Sequence, residues 1–156
     1  MRKLSFALFA LAIAAATAGV AFAASSGGSM SSMGSHSNNV FHFNPMTKGG
    51  QQGTVTITPV SATKTKVVIA LTGAPEGAIE PAHIHKGQCD LSDPGHFGPV
   101  VIPLTDVVAG HSMTIVNEPV SKVAVTGDSV NVHQSAARLN QVVACANVKS
   151  IPQGNM

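Results

Sequence analysis

Pro81-Ala82-His83-Ile84-His85-Lys86-Gly87-Gln88-Cys89 is the stretch around which the chain is organised. In an extended strand successive side chains point to opposite faces, so His83 and His85 share one face while Ala82 and Ile84 share the other. One face is apolar and the other is ready for a metal. Imidazole is a common nitrogen ligand for zinc and copper, and two of them spaced i, i+2 on a rigid strand can share one ion. Two solvent-facing histidines on a sheet would give the same pattern, so the pair alone decides nothing.

Upstream, Met1-Arg2-Lys3-Leu4 precedes an apolar run from Phe6 to Phe22 and the small-residue site Ala21-Phe22-Ala23. This is the pattern of a secretory signal peptide over 1–23, cleaved after Ala23, and not of a retained membrane anchor. Its removal from 156 residues leaves 133, enough for one domain with a single core. The formal charge of +2 includes Arg2 and Lys3; without them seven basic residues face seven acidic ones. Nothing in that balance suggests a nucleic-acid partner or a basic membrane patch. Charged residues make up 10% and Trp and Tyr are absent, so the core must come from Val, Ile, Leu, Ala and a few Phe, a composition that favours strands. An exported chain is periplasmic or secreted, and in such a compartment the two cysteines, Cys89 and Cys145, read as one disulfide.

Residues 24–39 are a Ser/Gly/Met run with almost nothing to bury, expected to be a flexible leader to a single domain over 40–156. From Gly53 the chain alternates. Val55 and Ile57 interleave with Thr54, Thr56 and Thr58, and Val67 to Leu71 follow, which predicts two strands joined near Ser61 to Lys66. Further short strands are expected at 82–85, 100–104, 113–116, 129–133 and 141–148, with Val120 to Thr126 readable as strand or helical turn. Seven to eight strands with regular turn signals and no helical periodicity predict an all-β, antiparallel sandwich or flattened barrel.

In Ser129-Val130-Asn131-Val132-His133 the valines alternate with Asn131 and His133. With the valines inward, His133 projects outward as His83 and His85 do, and the three can converge. His96 sits in Pro94-Gly95-His96-Phe97-Gly98-Pro99, a tight loop of the kind that carries functional groups.

These strands, the His83-Ile84-His85 pair with Cys89 after it, Val130 to His133 and Val143-Ala144-Cys145 resemble, in the same order, the copper,zinc superoxide dismutase superfamily from about Gly53 to Val148. The resemblance implies a Greek-key β-sandwich, copper ligation by His83, His85 and His133, a Cys89–Cys145 disulfide, and His96 as a further ligand. It also implies one-electron chemistry on superoxide if the chain is an enzyme. No cluster of two further histidines and an aspartate follows His96, so zinc is not expected. The family's guiding arginine, three residues before the second cysteine, is Val142 here, and Arg138 is out of register. Ala82 to Gly87, Gly98 to Leu104 and Val130 to His133 also resemble the CHRD domain, which implies a non-enzymatic interaction module. The residues thus admit three functions: a copper-dependent dismutase, a copper carrier or buffer, and a CHRD-like module.

Overall fold

The computed structural model describes residues 39–152. The expected signal peptide (1–23) and all of the expected leader except Asn39 lie outside the described residues.

Alternation builds the first sheet. In β2 (Gln52–Ser61) Val55 and Ile57 are fully buried while Thr54, Thr56 and Thr58 face outward. β3 (Lys64–Thr72) buries Thr65, Val67, Ile69 and Leu71 in the same rhythm. β8 (His111–Val116) continues the sheet beside β3. β1 (Val40–Pro45) buries Phe41 and Phe43 and exposes His42. The Phe-x-Phe alternation was legible in the sequence but lies before the point where the strands were expected to begin. β1 joins two sheets, because Val40 to Phe43 pair with β2 while Asn44 and Pro45 pair with β10 (Val142–Asn147).

The second sheet runs on through β9 (Asp128–His133), β5 (Ala82–Lys86) and β6 (Val100–Pro103), all antiparallel. Two-residue strands β4 (Ile79–Glu80) and β7 (Val107–Val108) close the other edge. The order β4-β7-β8-β3-β2-β1-β10-β9-β5-β6 contains the crossovers of a Greek-key sandwich, as expected for the fold class. The ten strands exceed the expected seven to eight because β1, β4 and β7 were not read; two residues are too short to show a period. Val120–Val123 resolves as a helical turn, α1, that buries both valines. Ile57, Ile69, Ile84, Val107 and Val130 meet in one core between the sheets.

Glu80 is buried apart from that core, beside Gln51 and the 47–50 and 73–78 loops. Gln51 Nε2 donates to its Oε1, while Glu80 Oε2 and Gln51 Oε1 have no partner. Burial pushes the Glu80 carboxyl above its usual value of 4.5, against the lowering effect of Gln51. A protonated Glu80 could donate to Gln51 Oε1 and satisfy both atoms at once. Because the folded state holds this proton more tightly than the unfolded chain, the site favours folding fully below pH 4.5 and progressively less as pH rises toward the folded pKa. Glu80→Gln, which mimics the protonated acid, should flatten that slope and stabilise the protein at neutral pH. Urea titrations of both proteins at several pH values check this; an unchanged slope would show that Glu80 is ionised in the fold.

Candidate metal centre

β5 and β9 pair with Ala82 opposite Val132, His83 opposite Asn131 and Ile84 opposite Val130. Ala82, Ile84, Val130 and Val132 face the core, so His83, His85, Asn131 and His133 share the other face of the sheet. The ladder continues past the strand end, where His133 N–H donates to the Pro81 carbonyl at 2.8 Å. Lys86 Nζ donates to both Asp128 carboxylate oxygens at 3.1 Å and fastens the opposite end.

On this face the rings of His83, His85 and His133 form a nearly equilateral triangle. Their centroids are 5.6 Å (His83–His85), 5.1 Å (His83–His133) and 5.4 Å (His85–His133) apart. One ring nitrogen from each lies within 4.8 Å of the others. His85 and His133 are buried, and His83 is half-buried.

The hydrogen bonds orient the donors. His85 Nδ1–H donates to the Gly98 carbonyl at 2.7 Å, which leaves Nε2 with its lone pair turned into the triangle. That Nε2 lies 3.3 Å from His133 Nε2. With metal–nitrogen bonds of about 2.0 Å, two ligands of one tetrahedral ion are roughly 3.3 Å apart, so this pair is already at ligand spacing. His83 Nδ1 and His133 Nδ1 are buried without a hydrogen-bond partner. Burial lowers the His133 pKa to about 4, helped by the charges of His83 and His85 and opposed by the Leu139 backbone. Burial also lowers that of His83, with His85 acting in the same direction and Asp106 against it. Near neutral pH both rings are therefore uncharged, the form in which imidazole binds metal.

The wall is a loop pinned at both ends. Cys89–Cys145 forms a disulfide with a Cα–Cα distance of 5.8 Å, tying the segment after β5 to β10. Cys89 N–H donates to Asn147 Oδ1 at 2.7 Å, and Asp90 Oδ1 accepts from the N–H groups of Ser92 and Asp93. At the far end Gly98 N–H donates to the Lys86 carbonyl at 3.1 Å, an approach so close that any Cβ at Gly98 would collide with that carbonyl. The pinned loop turns Phe97 onto the triangle, edge-on, 4.9 Å from the His85 ring and 5.2 Å from that of His133. His96 is exposed and lies near Asp90, whose carboxyl it helps hold below the usual range after the larger effect of the Ser92 hydrogen bonds. Three of the four candidate ligands thus converge, and His96 stands outside their group. Phe97 and Gly98 were in the quoted loop motif, but their roles depend on its path in space. Val142, where the resemblance would place a guiding arginine, is buried, and Arg138 is exposed on the 134–141 loop.

No family model matches the chain, and no curated protein matches it in sequence. Its structure is similar to that of superoxide dismutase 5 of Candida albicans. Two point variants of that protein each align with a TM-score of 0.51, at 19% and 18% identity, over 75% of this chain and 94% and 91% of theirs. A Cu(II) structure of the same protein aligns with a TM-score of 0.47 at 18% identity, over 75% of this chain and 94% of that one. The likeness is one of fold. It agrees with the superoxide-dismutase-like sandwich that the resemblance implies, and what the site does must be argued from its own residues.

The lowered histidines set a pH dependence. Below about 6.5 the unfolded chain takes up protons that folded His133 and His83 resist, so the metal-free protein should lose stability as pH falls from 6.5 toward 4. Histidine proton resonances followed by NMR across this range should show His133 titrating well below a free imidazole. A His133 titration near 6.5 would mean that water reaches the ring.

Proposed function

We propose that the protein is an exported copper-binding protein of superoxide-dismutase-like fold, with His83, His85 and His133 as its ligands and superoxide as its substrate. The observation that carries this reading is the convergence of three imidazoles, with His85 Nε2 aimed inward by the bond from Nδ1 to Gly98. An all-nitrogen, buried donor set suits copper or zinc and is poor for calcium or magnesium, which take oxygen ligands. Bound copper would supply one-electron redox chemistry, oxidising one superoxide to dioxygen and reducing the next to peroxide. The chain's own part is to hold three nitrogens in place on two paired strands, to keep His83 and His133 unprotonated, and to cover His85 and His133 with Phe97 so that access is past half-buried His83. Export is supported by the Cys89–Cys145 disulfide, a feature of oxidising compartments, and by the signal-like start of the chain.

A second reading, a copper carrier or buffer, is favoured by the charge around the opening. Asp106 acts on His83, and Val142 offers no cation where the family guides its anion, so superoxide would not be steered in. Dismutation by the copper-loaded protein separates the two readings.

The ligand set is tested by copper titration and electron paramagnetic resonance on four variants. His85→Ala and His133→Ala should each lose tight binding while still folding. Ile84→Ala should destabilise the fold by about 2 to 5 kcal/mol through lost burial, yet keep the site in its folded fraction. His96→Ala should weaken binding at most a few-fold, since three strand-borne ligands remain. Parent-like copper affinity in His85→Ala and His133→Ala would overturn the metal reading and leave a CHRD-like interaction module as the better one.

A further inference from the structure

The copper reading leaves the buried pair Glu80 and Gln51 without a role. Glu80 is 1% exposed and Gln51 3%, yet Glu80 Oε2 and Gln51 Oε1 have no hydrogen-bond partner among the described residues. Gln51 Nε2 donates to Glu80 Oε1, which holds the two side chains together and leaves both free atoms as acceptors. The pair lines a cavity of about 220 Å³ beside the 47–50 and 73–78 turns. Much of the remaining wall is backbone. Gly49 and Gly73, with φ of 76° and 86°, carry the chain around the cavity in a conformation that glycine adopts without strain. Thr47 and Val143 line it too, and their carbonyl oxygens meet beside Gly50, where an added Cβ would lie 2.9 Å from each. Each carbonyl accepts one N–H, from Gly50 at 2.8 Å and from Met46 at 3.2 Å, and keeps a second lone pair.

Among the described residues that line the cavity, Glu80 alone is formally charged, and no Lys, Arg or His stands opposite it. The walls thus offer oxygen acceptors and one carboxylate, which is the donor set of a hard cation. We propose that the cavity is a second metal site, for calcium, held by Glu80 Oε2 and Gln51 Oε1, with the Thr47 and Val143 carbonyls and waters completing the shell. Calcium accepts roughly six to eight oxygens in a flexible geometry, and the cavity has room for the ion and several waters. Magnesium demands a near-ideal octahedron and dehydrates reluctantly, so an irregular set of side-chain and backbone oxygens suits it less. In the cation-free protein a proton on Glu80 joins the two free acceptors, and calcium takes its place between the same oxygens. Glu80 is not in the group formed by His83, His85 and His133, so the nitrogen site and the oxygen site are distinct. One carboxylate neutralises half of the calcium charge, which puts the dissociation constant at about 10⁻⁴ to 10⁻³ M, the range of extracellular calcium modules.

Calcium chloride titrated into the chain from residue 24, followed by amide and histidine-ring NMR, tests this. The amides of Gly49, Gly50, Gln51, Gly73 and Ala78 should shift together and saturate, while the ring protons of His83, His85 and His133 stay in place. Magnesium should bind at least about tenfold more weakly. Glu80→Gln keeps the shape of the protonated acid, so it should fold as the parent does, and it should lose at least about tenfold in calcium affinity with the charge. His85→Ala removes a copper ligand and should bind calcium as the parent does, so failure of the calcium site and failure of the copper reading are told apart. A parent with no saturable shift by about 20 mM calcium overturns the proposal. So does parent-like calcium binding in Glu80→Gln, which takes the carboxylate out of the site, or loss of calcium in His85→Ala, which assigns the ion to the imidazoles. Equal affinity for magnesium overturns it as well, since the site would then not be built for calcium.

Discussion

The pairing of β5 with β9 is the interaction on which the rest depends. One ladder sends Ile84, Val130 and Val132 into the core and His83, His85 and His133 to the opposite face, so the packing that folds the domain also sets the spacing of the imidazoles. Side chains alternate with a period of two, and a one-residue slip would exchange the two sets, burying histidine in an apolar core. The cost of that exchange holds the register. The site therefore borrows its precision from hydrophobic burial, and the histidines need not hold one another in place.

The second constraint is the loop between Cys89 and Gly98. A disulfide spanning 56 residues stabilises by roughly 4 kcal/mol in the chain-entropy account, a sizeable share of a typical net stability of about 5 to 15 kcal/mol. Its local effect matters as much. With Cys89 fixed to β10 and Gly98 against β5, the loop carries Phe97 to the triangle, where its ring seals two of three imidazoles among Met46, Val142 and Cys145. A residue larger than glycine at 98 would push the loop away from Lys86 and take the carbonyl off His85 Nδ1.

Strands β2, β3, β5 and β9 were legible because each has at least two inward apolar residues alternating with outward ones, and that pattern needs no tertiary information, whereas β8 alternates with Met113 and Ile115 turned outward. β4 and β7 have two residues each and exist only through their pairing, β4 with β7 and β7 also with β8. The three strand histidines were readable as sharing a face from the position of their apolar neighbours. What lay beyond reading was the loop: whether His96 or Phe97 faces inward depends on one residue of phase in a segment without periodicity. The phase is set by the Asp90 turn and the disulfide, and it puts the aromatic ring inside. The Glu80–Gln51 pair was invisible for a related reason, since 29 residues separate its members and neither lies in a motif.

The imidazoles also make the metal-free state expensive. His83 Nδ1 and His133 Nδ1 are out of water without partners, and each such atom costs about 1 to 3 kcal/mol. Protonation would relieve little, because burial and the neighbouring rings already disfavour the charged forms. A purely structural face could be built more stably from valine or threonine at these positions. A bound cation changes the balance by accepting the inward lone pairs, and at a thousandfold excess over its dissociation constant it adds about 4 kcal/mol of stability. The same desolvation that penalises the empty site therefore strengthens the filled one, since imidazoles held neutral and dry need lose neither a proton nor a water shell to bind.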